Sequence, residues 1–490
     1  MTHAPDQAAE GDAGTASEDV ATPSPWRDLI WLALLRLGVS AGVGMLGIVA
    51  LSDDDYARVT IAQRFAASPR LDPSGTSWLP FPFWVMGGAM KLLDSSIDVA
   101  RLVTAAQAVA ATWLLFAAGR RWGFSEKRAL VFAGLATFTP AVALLGSVTV
   151  PELPTAALAL FAIVAATAPR RPATSDRTSL LAGALAMLAA TLSRYETWPV
   201  ALAVAAIVWK RQKGDGPWRR AAWAALLLFG PAWWIVHNRI AHGDALAFLR
   251  RVASYRSALG QPPSSGVFPY LVGLFDGSPA AMAALALIVW ALRRRPDRAA
   301  SLEKLRRFRA WGAAAALLVA FLLAGELVGG APTHHPERAF LLVWLMATFL
   351  VVDLATFTLH PALIAVPFGL LVLNYRDMLA DRGVERGMEE RAGQQLRALV
   401  PRGERVFAAT NDYGYFAIMA AFGRPQDVVV DSQDPRVKSS STLLRDPWNA
   451  VVRMRAENAS WLVAPSSVVF PLALQERMRD GPLVIYELRR

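Results

Sequence analysis

The sequence predicts a polytopic α-helical membrane protein of about eleven transmembrane helices, followed by a small extracytoplasmic α/β domain. Three observations lead there. Apolar runs of roughly 18 to 22 residues recur through the first three quarters of the chain, long enough to cross a hydrocarbon layer of about 30 Å. The 490 residues are 54% hydrophobic and only 18% charged, whereas charged residues make up about 25% of a soluble domain. Basic clusters end alternate apolar runs, which is the positive-inside bias of a multi-pass protein. The net charge of +11 is therefore read as a determinant of topology, and no nucleic-acid partner is expected. Cysteine is absent, which excludes disulfides and thiolate metal sites and leaves carboxylate, His and Arg chemistry.

Residues 1–25 are rich in Ala, Asp, Glu, Pro and Thr without periodicity and read as a disordered cytoplasmic tail. No basic region and cleavage site mark a signal peptide, so the first apolar run, 29–51, is expected to remain as an anchor. Arg36 lies about 10 Å into it, within snorkelling reach of the cytoplasmic side. Residues 52–98 form a large first outer loop, because prolines interrupt its pattern and the aromatics of 77–84 prefer the headgroup level.

Spans follow at 99–118, 130–148 and 153–168, with basic turns at Arg120-Arg121, Glu126-Lys127-Arg128 and Arg170-Arg171. This places Asp53, Asp54 and Asp55 outside, together with Pro151-Glu152-Leu153. The next hairpin looks too short: its arms, 179–192 and 198–209, span about 21 and 18 Å. Its tip, Ser193-Arg194-Tyr195-Glu196-Thr197, is thus expected below the outer surface, where polar backbone is tolerated only against protein or a wet cavity.

Further spans are expected at 221–240, 279–292, 311–328, 339–352 and 359–373, with an amphipathic helix over 245–258 in an outer loop. An odd number of crossings puts the N-terminus in the cytoplasm and the C-terminal domain outside. From residue 376 to 490 the composition is that of a soluble unit. Strands are expected at 405–409, 427–430, 460–464 and 483–488, alternating with helices at 388–399, 413–422, 448–457 and 471–478.

The ionisable residues near membrane depth gather at one face. Asp53 to Asp55, Glu152, Arg194, Glu196, His237, Arg239, His242, Glu326, His334, His335, Glu337 and Arg338 all fall at outer ends or outer loops. Charges in such positions are costly unless paired, solvated or used. Each has a structural alternative: a solvated stop for the Asp triplet with Arg58 as i+4 partner of Asp54, an Arg194–Glu196 pair steadying the tip, an exposed loop for His334-His335. Convergence favours chemistry. Carboxylates and cations at one membrane face suit a lipid-linked phosphate, with Arg and His holding the phosphate and a carboxylate taking the proton of an incoming hydroxyl. A single displacement of this kind inverts the anomeric centre.

Four stretches resemble the GT-C superfamily of polyprenyl-phosphate-sugar-dependent membrane glycosyltransferases, which includes protein O-mannosyltransferases and lipid A aminoarabinose or galacturonate transferases. They are Asp54-Asp55-Tyr56-Ala57-Arg58 after the first span with Trp78-Leu79-Pro80-Phe81-Pro82-Phe83 downstream, Pro151-Glu152-Leu153, Leu192-Ser193-Arg194-Tyr195-Glu196-Thr197-Trp198, and His335-Pro336-Glu337-Arg338. The resemblance covers roughly residues 26–375 and implies a transmembrane catalytic domain there.

It implies an inverting glycosyltransferase of the cytoplasmic membrane. The donor would be a sugar on a polyprenyl phosphate, and the acceptor a glycan, lipid or protein at the outer face. Asp54 would be the base with Asp55 next, and Glu152 would orient the acceptor or share a divalent metal with Asp54. Arg194, Arg338, His335 and Arg58 would hold the donor phosphate, with Glu196, Tyr195, Arg239 and Trp78 completing the site. Three acids stand where the family has two, Thr197 replaces a glycine, and Ala339-Phe340 replaces an aromatic-Leu pair. Two other functions use the same face: a ligase or polymerase moving a whole polyprenyl-linked glycan, and a lipid or solute transporter.

Overall fold

The computed structural model describes residues 25–169, 173–214, 216–258, 266–294, 303, 305–328, 336–354, 361–380, 383–410, 412–430 and 441–489. The expected N-terminal tail, up to residue 24, and the His334-His335 pair lie outside the described residues.

Long helices dominate the first part of the chain. Helix α1 (Pro25–Met45) is followed by two short helices of the first loop, α2 (Asp53–Ala67) and α3 (Phe81–Leu92). Helix α4 (Ile97–Trp122) starts where Ser96 Oγ accepts from Val99 N at 3.3 Å and stops at Gly123, whose φ of 114° suits a residue without Cβ. The chain continues through α5 (Glu126–Thr137), α6 (Pro140–Leu145), α7 (Glu152–Thr167), α8 (Ala173–Thr191), α9 (Thr197–Arg211) and α10 (Pro217–His242). Helices α11 (Ala247–Ala258), α12 (Phe268–Asp276), α13 (Pro279–Arg293), α14 (Arg309–Leu327), α15 (Leu341–Leu354) and α16 (Pro361–Ala380) complete this part.

Helix α7 is apolar on every side and buried along its length, from Leu153 through Ala157 and Leu160 to Val164. A helix without a polar face belongs in the middle of a bundle, and α7 packs against α4, α8, α9 and α15. Around it lies one continuous core, capped at one end by an aromatic cluster in which Trp122, Phe124, Phe132, Trp311 and Phe349 meet at ring distances of 4.7 to 6.5 Å.

Among the described residues, three helices are long and apolar enough to cross a membrane, Trp26–Met45, Ile97–Trp122 and Arg309–Leu327; the pair α12 and α13, bent by 82°, makes a fourth if counted as one span. Two expected spans differ in detail. The 130–148 run is broken at Thr139-Pro140 into α5 and α6, since proline cannot continue the helix before it. The first arm of the short hairpin is not short: α8 has 19 residues, about 28 Å. Its polar first turn is helical because Asp176 is held by Arg121 at 2.5 Å and by Arg211 at 3.2 Å.

Arg36 does not snorkel. It is fully buried and donates to the carbonyls of Val142 and Ala143 at 3.1 and 3.0 Å and to Ser40 and Ser147 at 2.9 Å each. Those carbonyls lie in the last turn of α6, where Gly146 N also donates to Val142 O at 3.0 Å and Ser147 Oγ to Ala143 O at 2.7 Å, and a guanidinium has enough donors to serve both carbonyls and both serines at once.

The C-terminal unit is a five-stranded sheet in the order β2-β1-β3-β5-β4. Strands β1 (Arg405–Ala408), β2 (Val428–Val430) and β3 (Ala459–Pro465) pair in parallel, while β4 (Leu474–Asp480) and β5 (Leu483–Leu488) add antiparallel. Helices α17 (Gly387–Leu399), α18 (Tyr415–Phe422), α19 (Thr442–Arg445) and α20 (Ala450–Ala456) cover it. The expected helix at 471–478 is instead β4. It is the edge strand, mostly exposed, and its Glu476, Arg477 and Arg479 are the charged residues that protect an edge from further pairing.

This domain docks on α2. Val384 N donates to Ala50 O at 3.2 Å, and Gly383 passes so close that a Cβ would stand 2.3 Å from that oxygen; its φ of +70° also requires glycine. Gln63 Nε2 donates to Ala420 O at 2.7 Å, and Tyr56 Oη donates to Glu390 at 2.6 Å, where Arg101 also binds bidentately at 2.8 Å.

Candidate active site

Three helices begin at one end of the bundle, and each brings a carboxylate with it: Asp53 to Asp55 in the first turn of α2, Glu152 opening α7, and Glu196 before α9. Helix N-termini favour negative charge, so local structure accounts for acids at all three places. Three guanidiniums, Arg58, Arg194 and Arg338, meet these acids.

The Asp triplet divides by helical rotation. Asp53 turns toward the C-terminal domain and pairs with Arg386 at 2.9 and 3.1 Å; Arg386 also binds Asp412 at 3.0 and 3.1 Å and Glu389 at 3.1 Å. Asp54 is exposed and makes no hydrogen bond among the described residues, with the charge of Arg58 one turn along the helix. Asp55 is buried. Its Oδ2 accepts from the backbone of Leu51 and Ser52 at 3.1 Å each, and Thr149 Oγ1 donates to its carbonyl at 3.2 Å. Burial pushes the Asp55 carboxyl up to about 6, against the pull of Arg338 and the two backbone N–H groups. The Ser52-x-x-Asp55 spacing is that of a capping box, so part of the role of Asp55 is to start α2.

Glu152 sits deeper. Arg194 Nη1 donates to its Oε1 at 2.5 Å, while Arg194 Nε donates to Glu196. Arg58 and Arg338 also act electrostatically on Glu152, and Arg338 acts on Asp55. Three polar atoms remain buried without a partner here: Glu152 Oε2, Arg58 Nε and Arg338 Nη2. Such groups are costly to leave unpaired, and a polar ligand or water set among them would satisfy all three. A small cleft of about 20 Å³ opens beside Arg58, lined also by Phe83, Met86, Gln107, Thr149 and Pro151.

The aromatic loop holds this arrangement. The guanidinium of Arg58 lies 4.5 Å over the Trp78 ring, which stacks on Phe83 at 6.2 Å. Tyr195 Oη donates to Ser77 O at 2.7 Å and accepts from Trp234 Nε1 at 3.0 Å, with its ring stacked on Phe248 at 4.8 Å. Phe81 N donates to Leu192 O at 3.0 Å. The tip is thus clamped to the loop that carries Trp78.

The geometry gathers Asp54, Asp55, Arg58, Trp78, Glu152, Arg194, Tyr195, Glu196 and Arg338. Arg239 is not among them: it is exposed at the end of α10 and donates to Gly243 O, closing that helix. His335 lies outside the described residues. Thr149 was missed by sequence reasoning, since a lone threonine carries no signal. Arg386 was missed because 333 positions separate it from Asp53.

The comparisons support the resemblance to GT-C membrane glycosyltransferases read from the four motifs. The family model described as dolichyl-phosphate-mannose-protein mannosyltransferase matches residues 74–235, the segment from the aromatic loop through the tip to α10. Among solved structures, the chain is similar to ArnT from Cupriavidus metallidurans bound to undecaprenyl phosphate, with 14% identity and a TM-score of 0.60 over 94% of this chain and 98% of that one. The apo state of the same protein matches with 14% identity and a TM-score of 0.56, covering 93% and 97%. The apo oligosaccharyltransferase of Archaeoglobus fulgidus matches with 13% identity and a TM-score of 0.50, covering 90% of this chain and 69% of that one. No curated protein matches the chain in sequence.

Proposed function

We propose that the protein is an inverting glycosyltransferase that moves a sugar from a polyprenyl-phosphate donor to an acceptor at the outer face of the cytoplasmic membrane, with about eleven helices crossing it. The observation that carries this reading is the group of unpaired guanidinium nitrogens on Arg58 and Arg338 beside the Glu152–Arg194 pair. The phosphodiester of the donor placed beside them would satisfy both nitrogens, and the same charges would stabilise the polyprenyl phosphate monoester released when the bond from the anomeric carbon to the phosphate oxygen breaks.

Asp54 is the general base in this reading, because it is the exposed and unpaired carboxylate of the triplet and can accept the proton of an acceptor hydroxyl without breaking an existing bond. Asp55 and Glu152 are positioning residues: the first starts α2, the second orients Arg194. Should the reaction need a divalent ion, Asp54 and Glu152 are the oxygen ligands it would use.

The test is transfer in proteoliposomes loaded with synthetic polyprenyl-phosphate sugars, with mass spectrometry of the product. One sugar added per event supports the proposal. Transfer of a whole oligosaccharide, or flux of the lipid or solute without transfer, replaces it with the ligase or the transporter.

A further inference from the structure

We infer a zinc site away from the candidate active site, built from Asp72, His237 and His242. One ligand atom of each lies within 4.8 Å of the other two. His237 Nε2 is buried and without a hydrogen-bond partner, 3.8 Å from Asp72 Oδ2. That separation is too long for a hydrogen bond. It is near the roughly 3.3 Å expected between two ligands bound at about 2.0 to 2.1 Å to one tetrahedral ion, so a small side-chain rotation brings both into range.

The surroundings hold the ligands ready. Asp72 Oδ1 accepts from Gly75 N at 2.9 Å and from Ser74 Oγ at 3.1 Å, which fixes the carboxylate and leaves Oδ2 turned to His237. Hydrogen bonds of this kind orient a ligating carboxylate. The His237 ring lies against Trp233 and Trp234 at 5.5 and 5.3 Å, near parallel to both, so its plane is set by packing. His242 stands at the last residue of α10, exposed and free to swing in, its ring 6.3 Å from that of His237. A cation here also meets the negative end of the α10 dipole. Two imidazoles and one carboxylate are a donor set suited to zinc, with water in the fourth position, and poorly suited to magnesium or calcium.

The site would brace the active-site wall. Asp72 lies five residues before Ser77 and His237 three residues after Trp234, and those two residues hold the Tyr195 hydroxyl of the tip from opposite sides. Zinc would therefore lock the aromatic loop to α10.

The full-length chain without a polyhistidine tag, purified in detergent, stripped with chelator and titrated with zinc alone, tests this. We expect one equivalent bound, a rise in melting temperature on binding, and slower proteolysis within 68–80. Asp72→Asn, His237→Gln and His242→Gln should each weaken zinc binding at least tenfold; the His242 variant changes an exposed residue and so cannot lose binding through misfolding. Asp480→Asn, at the end of the C-terminal edge strand, should bind zinc as the wild type does. Equal zinc content in the wild type and the three ligand variants would overturn the site, as would loss of zinc in Asp480→Asn. Neither result bears on sugar transfer.

Discussion

Replacing Asp55 by Asn should stabilise the protein at neutral pH while leaving its architecture intact. The carboxyl is buried and carried from its ordinary value near 4 to about 6. A change of that size corresponds to about 3 kcal/mol of folding free energy at a pH where the group is ionised. The sign follows from proton binding. Between about pH 4 and pH 6 the folded protein holds this proton more tightly than the unfolded chain, so the contribution of Asp55 falls as pH rises through that window, and the full penalty stands above it. Asn cannot ionise, and its Oδ1 can still accept from Leu51 N and Ser52 N, so the start of α2 is kept. The difference in stability between variant and wild type should therefore be near zero below pH 4 and grow to about 3 kcal/mol above pH 6. Chemical denaturation followed by tryptophan fluorescence from pH 3.5 to 8 measures it. A difference that does not change with pH would refute the argument that burial dominates at Asp55.

Three further outcomes follow from the same geometry. Arg338→Gln removes a guanidinium whose Nη2 is unpaired until a ligand arrives, so the donor KM should rise about 10- to 100-fold with little change in stability; unchanged donor KM would place the phosphate elsewhere. Arg386→Met leaves Asp53, Asp412 and Glu389 facing one another without their shared cation, which should destabilise the docked domain by about 3 kcal/mol and speed hydrogen exchange across 51–58; slow exchange in the variant would show that the ion pairs are dispensable. Glu152→Gln leaves Arg194 with Glu196 as its remaining carboxylate, and transfer should drop through kcat more than through KM as the tip loses its fixed orientation. The reverse split would assign Glu152 to substrate binding.

Much of this protein was legible from hydrophobic runs and their basic ends, because burial of an apolar helix is a local property of its sequence. The α/β character of the C-terminal unit was legible for the same reason. The segment containing Leu474-Gln475-Glu476-Arg477-Met478 was not: its pattern fits either period, and pairing with β5, a non-local event, decided it. Arg36 was misjudged because the carbonyls it serves belong to a helix broken 106 residues later. At the site, residue types and the convergence of segments were readable. The separate duties of Asp53, Asp54 and Asp55 were only partly so. The Ser52-x-x-Asp55 cap was visible in principle, whereas the grip of Arg386 on Asp53 depends on how two distant parts of the chain meet.

The central claim rests on Asp54, and one measurement reaches it directly: single-turnover sugar transfer from a polyprenyl-phosphate donor by wild type, Asp54→Asn and Asp55→Asn under saturating donor. The account predicts a rate at least 100-fold lower in Asp54→Asn, with normal folding and donor binding, and a loss of less than tenfold in Asp55→Asn. Transfer at the wild-type rate by Asp54→Asn would contradict it.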